Sequence, residues 1–314
     1  MNTIKNLLLI VSVGVLVASC SKASYRKTPG GMPYQHFKSG DTQQVKVGNF
    51  IKLSFAQKIN DSVYFTTEGK MPIYIPVLAQ TTPYDISEVW TKLHLGDSVA
   101  TTQMMDTFIK RMPPGNIPPQ FKKGDRILTY AKVLGIFTSD SAQVADKVKE
   151  EKIFEAAEVA SIQKYLNDKK ITTQRTKSGA FIEIINPGNG NLADSGKYVS
   201  VNYTGTTFDG KKFDSNTDPA FNHVQPYSFT VGIGEMIKGF DEAVSLLRPG
   251  GSAKVYIPSM LAYGERPPQG SPIRPYEKLI FEVAVVDLKD KAPAQPPMHP
   301  QPQPQKVDAP QPNK

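Results

Sequence analysis

The sequence predicts an α+β protein in which an antiparallel sheet wrapped on a short helix occurs in two copies joined by a long helix. Two regions, residues 45–138 and 173–290, alternate apolar strand-like segments with turn residues. Between them, residues 139–172 contain no Gly or Pro and are rich in Ala, Glu, Lys and Gln, which is typical of a helix. The length of 314 residues fits two domains.

The N-terminus resembles the leader of a bacterial lipoprotein. Lys5 precedes an apolar run that is too short to span a bilayer as a helix. The run ends at Val17-Ala18-Ser19-Cys20, a lipobox-like pattern, and Cys20 is the only cysteine. We expect residues 1–19 to be a signal peptide and Cys20 to be lipidated, which would anchor the protein in the bacterial cell envelope, on the outer membrane facing the periplasm. A transmembrane anchor or an N-terminal core helix is the alternative.

Two segments are predicted to lack a fixed structure. Residues 20–44 are rich in Ser, Lys, Gly, Pro and Gln, which predicts a flexible tether. Residues 291–314 are rich in Pro and Gln and offer few apolar side chains to bury, which predicts a disordered tail with polyproline character.

The first strand-rich region and the following helix are predicted from periodicity. The region's strand candidates are Phe50–Phe55, Pro72–Val77 and Ile127–Leu134. In the helix, apolar residues recur at helical spacing, which favours a linker packed on one neighbouring domain. A homodimer through the helix is left open, because the stripe is interrupted near residues 149–152. The stripe consists of Val144, Val148, Ile162, Tyr165 and Leu166.

The second strand-rich region shows the clearest local pattern. Ile237, Phe240, Val244 and Leu247 fall on one face of a helix, and Pro249-Gly250-Gly251 ends it. Strands on both sides predict an α+β domain with this helix on one face of the sheet. The strand candidates are Phe181–Ile185, Val199–Gly205, Tyr227–Val231, Ala253–Pro258 and Leu279–Leu288.

Aromatic residues are frequent in this region, and most of them are expected to fill the core. Two features point to a site as well. Asp214 directly follows Phe213 in a turn-like stretch, and Tyr263 opens a long loop rich in Pro and Gly. The aromatic residues are Tyr203, Phe213, Tyr227, Phe229, Phe240, Tyr263 and Phe281.

Residues 181–288 resemble FKBP-type peptidyl-prolyl cis-trans isomerases across the whole domain, and the chain as a whole resembles the bacterial lipoprotein form of that family. The resemblance rests on several ordered motifs at the family's spacings. These are Val201-Asn202-Tyr203-Thr204-Gly205, Gly210-Lys211-Lys212-Phe213-Asp214-Ser215, Gly234-Glu235-Met236-Ile237-Lys238-Gly239-Phe240, Leu247-Arg248-Pro249-Gly250-Gly251, Ile257-Pro258, Ala262-Tyr263-Gly264 and Leu279-Ile280-Phe281-Glu282-Val283.

The resemblance implies a pocket on the second domain, with Tyr203, Asp214 and Tyr263 as catalytic residues. It implies no cofactor and no metal. Phe240 stands where the best-known eukaryotic members carry a tryptophan on the pocket floor, and a phenyl ring keeps that floor apolar. The implied substrate-binding residues are Phe213, Tyr227, Met236, Ile237, Phe240, Ile273 and Phe281.

The residues themselves fit isomerisation of X-Pro bonds. Rotation about such a bond has a barrier of about 18–20 kcal/mol because it breaks amide resonance. The twisted transition state is less dipolar than the planar amide, so an apolar pocket stabilises it preferentially. Tyr263 can donate a hydrogen bond to the substrate carbonyl. Asp214 acts either through its charge near the rotating carbonyl carbon or by bonding Tyr203 and ordering the pocket, and the sequence leaves both roles open.

The expected partners are unfolded or proline-containing polypeptides, and the expected function is to assist folding of exported proteins. The alternative is a non-catalytic chaperone or a module that binds proline segments. The 37 Lys and Arg residues outnumber the 29 Asp and Glu residues, but they are spread along the chain, which argues against nucleic acid. Four separated histidines and one cysteine do not form a metal motif.

The first strand-rich region, residues 45–138, is predicted to be a degenerate copy of the second. Ile51–Phe55 parallels Val199–Tyr203, and Leu93–Gly96 parallels Leu247–Gly250. The loss of the acid, of the tyrosine hydroxyl and of one ring predicts a binding or scaffold module, and an unrelated β-rich domain is the alternative. The alignment places Phe65 at Phe213, Thr66 at Asp214, Ile109 at Tyr263 and Thr129 at Phe281.

Overall fold

The computed structural model describes residues 25–111 and 121–293. The predicted signal peptide, the lipidation site Cys20 and residues 294–314 of the predicted tail lie outside these ranges, so those expectations stay predictions. Within the described ranges, no helix combines the length and the apolar character needed to cross a bilayer. The chain forms two compact units that meet in sequence between Glu151 and Lys152.

The first unit is built on a seven-stranded antiparallel sheet. Its strands are β1 (Arg26–Lys27), β2 (Pro33–Phe37), β3 (Phe50–Ile59), β4 (Ser62–Thr66), β5 (Ile73–Pro76), β6 (Ser98–Met104) and β7 (Arg126–Phe137). They lie in the order β1-β2-β6-β7-β3-β4, and β5 also pairs with β3. A 3₁₀ helix, Ile86–Lys92, buries Val89 and Trp90 against the apolar side chains of the sheet. A short helix, α1 (Met105–Ile109), follows β6.

The tether predicted for residues 20–44 is wrong over residues 26–37, which form β1 and β2 of the first sheet. Strand β2 pairs with β6, where Tyr34 lies opposite Thr101. Tyr34 is 4% exposed and Met32 is fully buried, so these side chains contribute to the core. The free energy gained by burying them accounts for the ordered strand in a segment of polar composition. The first domain therefore begins before residue 45.

The long helix predicted for residues 139–172 is confirmed as α2 (Asp140–Asp168). In its first half, Asp146 and Glu150 form ion pairs of 2.9 and 2.6 Å with Lys52 of β3. Tyr74 of β5 donates a hydrogen bond of 2.6 Å to Asp146. The first half of the helix is therefore held to the first sheet by charged and polar contacts. Val144 belongs to the predicted apolar stripe but is 47% exposed, and a homodimer through the helix stays a prediction.

The second unit contains another seven-stranded antiparallel sheet and a short helix, α3 (Lys238–Val244). All five predicted strands and the predicted helix are present. Phe240, Val244 and Leu247 are fully buried, as the periodicity predicts. The strands are β8 (Gln174–Arg175), β9 (Phe181–Asn186), β10 (Tyr198–Thr207), β11 (Lys212–Ser215), β12 (Tyr227–Thr230), β13 (Ser252–Ile257) and β14 (Leu279–Lys289).

The two sheets have the same topology. The second is ordered β8-β9-β13-β14-β10-β11, with β12 paired to β10. Each strand of the first sheet thus has one counterpart in the second, in the same chain order and at the same place. The prediction of two copies joined by a long helix is confirmed.

The second half of α2 packs on the second sheet. Ile162 and Leu166 are fully buried and form a cluster with Phe181, Tyr256 and Ile280. These three sheet residues lie on the face opposite to α3, because their neighbours Ile182, Val255 and Phe281 pack in the core that contains α3. The linker helix is therefore an integral layer of the second domain over this half.

A buried carboxylate organises one end of the first sheet. The Asp97 side chain is 1% exposed and lies 2.7 Å from His36 Nε2. It also accepts hydrogen bonds from the backbone N–H groups of Ser39 at 2.6 Å and of His94 at 2.9 Å. Burial alone would raise the pKa of Asp97, but the hydrogen bonds from Ser39, His36 and His94 outweigh it and hold the pKa well below its usual range.

We expect Asp97→Asn to lower the free energy of unfolding of the first unit at neutral pH by about 2–4 kcal/mol, because buried donors lose a charged acceptor. Trp90, the only tryptophan in the chain, is 5% exposed in this core, so its fluorescence reports this unit's unfolding. Since the folded pKa is lowered, the stabilisation is present above the ordinary value of 3.8 and is lost as the pH falls below it.

The difference in the free energy of unfolding between the wild-type protein and the Asp97→Asn variant should therefore become smaller at acidic pH. Asp61→Asn is the matched control, because the Asp61 side chain is 98% exposed. Equal denaturation midpoints for Asp97→Asn and the wild type at pH 7 would contradict the prediction.

Candidate active site

Four of the predicted pocket residues form one connected aromatic cluster on the α3 side of the second sheet. The ring centroids of Phe240 on α3 and Phe281 on β14 are 5.1 Å apart, and those of Phe213 and Phe281 are 5.5 Å apart. The Tyr203 ring lies 6.1 Å from Phe240. Phe240 and Phe281 are buried, whereas Tyr203 and Phe213 are partly exposed. The cluster is thus an apolar floor with two accessible rings.

A glycine on β10 permits this close packing. A Cβ atom at Gly205 would lie 2.5 Å from the Phe213 ring and 2.9 Å from the Phe281 ring. Both distances are too short for carbon atoms in contact, so any side chain at this position would displace the two rings. The glycine in the motif around Tyr203 is therefore required for the close packing of these two rings.

Asp214 lies at the edge of the cluster and is bonded on both carboxylate oxygens. The Tyr203 hydroxyl donates to Asp214 Oδ2 at 2.7 Å, and His223 Nε2 lies 2.8 Å from Asp214 Oδ1. Burial raises the pKa of Tyr203, and the hydrogen bond to Asp214 raises it further, so the phenol stays protonated. The sequence analysis gave His223 no role, because it stands alone in a loop without a motif.

Asn216 is a second residue that the sequence analysis missed. It is 2% exposed and its side chain accepts a hydrogen bond of 2.7 Å from the backbone N–H of Tyr203. Its amide nitrogen donates to the carbonyl oxygens of Val201 and Gln225, each at 2.9 Å. Asn216 therefore fixes the loop after β11 to the strand that carries Tyr203.

The remaining predicted residues lie at the same face of the domain but differ in burial. Ile273 is 7% exposed, and Met236, Ile237 and Tyr263 pack on the same core while partly exposed. Burial and the charge of Asp214 raise the pKa of Tyr263, so its hydroxyl is a hydrogen-bond donor. Tyr227 is the most exposed of them at 45%, and its ring centroid lies 6.2 Å from that of Phe229.

The site offers hydroxyl and backbone donors but no group of metal ligands. Within residues 25–111 and 121–293, no three His, Cys, Asp or Glu side chains lie close enough together to hold a metal ion. Ile237 is the N-cap residue of α3 and has no side-chain cap. Because the first N–H groups of a helix have no acceptor within the helix, the backbone N–H of Ile237 makes no intrahelical hydrogen bond.

The first sheet has a different pair at the position of the acid. Strand register sets Gln57 opposite Phe65, just as Gly205 lies opposite Asp214, with a register shift after each pair. Phe65, not Thr66, therefore occupies the place of Asp214, and the predicted alignment is wrong by one residue. An alignment error of one residue along a strand assigns a side chain to the opposite face of the sheet.

Other register positions complete the comparison. Thr129 lies opposite Gln57 as Phe281 lies opposite Gly205, so the predicted match of Thr129 with Phe281 is confirmed. By the same count Phe55 stands at the place of Tyr203. The rings of Phe55 and Phe65 are 6.1 Å apart, so two phenyl rings replace the hydrogen-bonded tyrosine and acid.

Sequence comparison matches part of the second unit to a known family. Residues 190–286 match the model of the FKBP-type peptidyl-prolyl cis-trans isomerase family. An FK506-binding protein of Neisseria meningitidis serogroup B is 41% identical over 110 residues, which cover 35% of this chain and 96% of that protein. FK506-binding protein 4 of Neurospora crassa is 38% identical over 123 residues, or 39% of this chain and 25% of that protein. FkpA from Escherichia coli matches 48% of this chain and 68% of its own at 27% identity, with a TM-score of 0.36.

The second unit is thus an α+β domain that carries a cluster of aromatic rings, with a tyrosine hydroxyl bonded to a carboxylate beside it. Because the chain covers nearly all of a relative that is 41% identical, it belongs to the family of FKBP-type peptidyl-prolyl cis-trans isomerases. It is an isomerase of this type, and the matching residues 190–286 lie within the second unit.

We expect Gly205→Ala to reduce kcat/KM for a proline peptide about tenfold, since overpacking a core by one methyl group costs about 1–3 kcal/mol. The added methyl group would displace the rings of Phe213 and Phe281. Cis/trans exchange measured by NMR gives the rate, and the aromatic proton shifts show whether the rings move. Unchanged exchange with shifted rings would contradict the assignment of the pocket to this cluster.

Proposed function

We propose that the second domain isomerises X-Pro bonds by enclosing the proline ring and the twisted amide in the cluster of Tyr203, Phe213, Phe240 and Phe281. The observation that carries the proposal is a floor of buried rings beside two partly exposed ones, next to a tyrosine bonded to a carboxylate. The rotation barrier of about 18–20 kcal/mol comes from amide resonance. The twisted amide is less dipolar than the planar one, so an apolar enclosure lowers this barrier.

Hydrogen-bond donors at the edge of the pocket would hold the substrate during rotation. We assign the Tyr263 hydroxyl to the substrate carbonyl, because this partly exposed phenol packs beside the ring cluster and is a hydrogen-bond donor at neutral pH. The backbone N–H of Ile237, at the start of α3, would bind a substrate backbone carbonyl. Both contacts would orient the substrate peptide on each side of the X-Pro bond while the proline ring stays in the pocket.

Of the two roles considered for Asp214, we propose the ordering role. The carboxylate receives the Tyr203 hydroxyl at 2.7 Å and the His223 imidazole at 2.8 Å, so both of its oxygens are engaged. A group held in this way is suited to fix the Tyr203 ring against Phe240. A direct effect of its charge on the substrate is the competing role, and the two roles respond differently to substitution.

We also propose that the protein assists folding of exported proteins from the periplasmic face of the outer membrane. The support is the lipobox-like sequence that ends at Cys20, together with the domain that carries the pocket. Uncatalysed isomerisation takes tens to hundreds of seconds, so a catalyst near emerging chains would shorten a slow folding step. The clients would be unfolded polypeptides that contain proline, and the first domain, which lacks the tyrosine and acid pair, would bind them without turnover.

We expect Tyr263→Phe to lower kcat/KM about tenfold in the full chain, which is the effect of losing one hydrogen bond of about 1.4 kcal/mol. Asp214→Ala should lower it about tenfold or more, because Tyr203 loses its acceptor, whereas Asp214→Asn should stay within about threefold, because an amide oxygen still accepts. NMR exchange on a short proline peptide measures all three variants. Equal losses for Asp214→Asn and Asp214→Ala would favour the role of the charge.

We expect Cys20→Ser to move the protein from the membrane fraction to the soluble fraction of the cell envelope, because acyl chains supply the membrane affinity. Mass spectrometry of the wild-type N-terminal peptide should show a lipid-modified Cys20. Ser19→Ala is the control next to it and should leave the protein in the membrane fraction. An unmodified Cys20 in a membrane-bound protein would contradict the proposed anchor.

A further inference from the structure

A buried glutamate on the linker helix contacts the loop that carries Tyr263. Glu158 of α2 is 6% exposed and lies outside the residues that match the isomerase family. Its Oε2 accepts a hydrogen bond of 3.0 Å from the backbone N–H of Ser259 and one of 2.8 Å from the Ser259 hydroxyl. Both donors of this fully buried serine are therefore satisfied by one oxygen from the helix.

Ser259 in turn determines the backbone around Tyr263. It begins the 3₁₀ turn Ser259–Leu261. Its carbonyl oxygen accepts hydrogen bonds from Ala262 N at 3.0 Å and from Gly264 N at 2.9 Å. These are the residues on each side of Tyr263, so the position of Ser259 sets the position from which the tyrosine side chain extends.

The far end of the same loop also rests on the helix. Tyr276 N donates to Gly264 O at 2.8 Å, and the Tyr276 ring packs edge-on against Phe154 of α2 with centroids 5.2 Å apart. Two residues further, Lys278 donates to the Ser161 hydroxyl at 2.6 Å. The helix therefore contacts both ends of the segment from Ser259 to Lys278.

We propose that Glu158 is a positioning residue for the isomerase reaction, which acts by holding Ser259 and thereby the turn that presents the Tyr263 hydroxyl. The inference rests on the role proposed above for Tyr263. The linker helix would then contribute to the activity of the second domain, in addition to connecting the two domains. A pocket-bearing segment that lacked the helix would keep its rings but lose the fixed placement of this hydroxyl.

The contact with Ser259 needs an acceptor oxygen on residue 158. Burial raises the pKa of Glu158, against the hydrogen bonds from Ser259, the charge of Lys278 and the backbone N–H of Met260, which lower it. Because both bonds end on one oxygen, the carbonyl oxygen of a glutamine can accept both. Glu158→Gln is therefore the conservative variant, and Glu158→Ala removes the acceptor.

The test uses the full chain and NMR cis/trans exchange on a proline peptide. We expect Glu158→Ala to lower kcat/KM about tenfold, the size of one well-made hydrogen bond, and Glu158→Gln to stay within about threefold of the wild type. Glu155→Ala, an exposed position on the same helix, should leave the rate unchanged. The amide signal of Gly264 should shift in Glu158→Ala but not in Glu155→Ala.

A double-mutant cycle with Tyr263→Phe separates positioning from a general loss of structure. If Glu158 acts through Tyr263, Glu158→Ala should cost less than about threefold in the Tyr263→Phe background, because the hydroxyl it places is gone. Ser259→Ala removes only the hydroxyl bond and gives a milder variant for the same cycle, should Glu158→Ala fail to fold.

The outcomes distinguish the two claims. If Tyr263→Phe lowers the rate but the Glu158 and Ser259 variants lower it by the same factor in both backgrounds, the positioning role is overturned and the role of Tyr263 stands. If Tyr263→Phe has no effect, the proposed role of Tyr263 fails and the inference fails with it. A non-additive cycle together with rescue by Glu158→Gln supports the positioning role.

Discussion

The contact between the Phe240 and Phe281 rings is the interaction on which the second domain depends. It joins the short helix α3 to a central strand, and Tyr203 and Phe213 pack against the same pair. The rings therefore stabilise the domain, and in the proposed function they also enclose the substrate. The close approach at Gly205 matters for both, since the same atoms would form the core and the pocket floor.

Sequence periodicity was sufficient for the fold class, five of the seven strands of the second sheet and the buried face of its helix. Periodicity failed in short segments, where few apolar residues are available to form a pattern. Strand β2 follows glycines and begins with Pro33, so its sequence is typical of a tether although Tyr34 is buried. The acid's counterpart in the first sheet was placed one residue too late, because the chain from Gln57 to its partner Phe65 is one residue shorter than the chain from Gly205 to Asp214.

The sequence indicated the ring cluster of the candidate site but not the polar side chains that surround it. The motifs located Tyr203, Asp214 and Tyr263, but Asn216 and His223 act through a loop whose path depends on the folded chain. Glu158 was not predicted for another reason. The helix is so rich in charged residues that its sequence does not distinguish one buried glutamate from the exposed ones. Its partner Ser259 lies 101 positions further along the chain, so only the folded structure brings the two together.

The identical strand order of the two sheets is the pattern that duplication of one segment would produce. In the first copy, Phe55 and Phe65 stand where the second copy has Tyr203 and Asp214. Exchange of a polar pair for two phenyl rings removes the hydrogen bond between tyrosine and carboxylate, while the strand order stays the same. One backbone topology thus supports both pairs, so very few substitutions separate a site with a hydroxyl and a carboxylate from a purely apolar one.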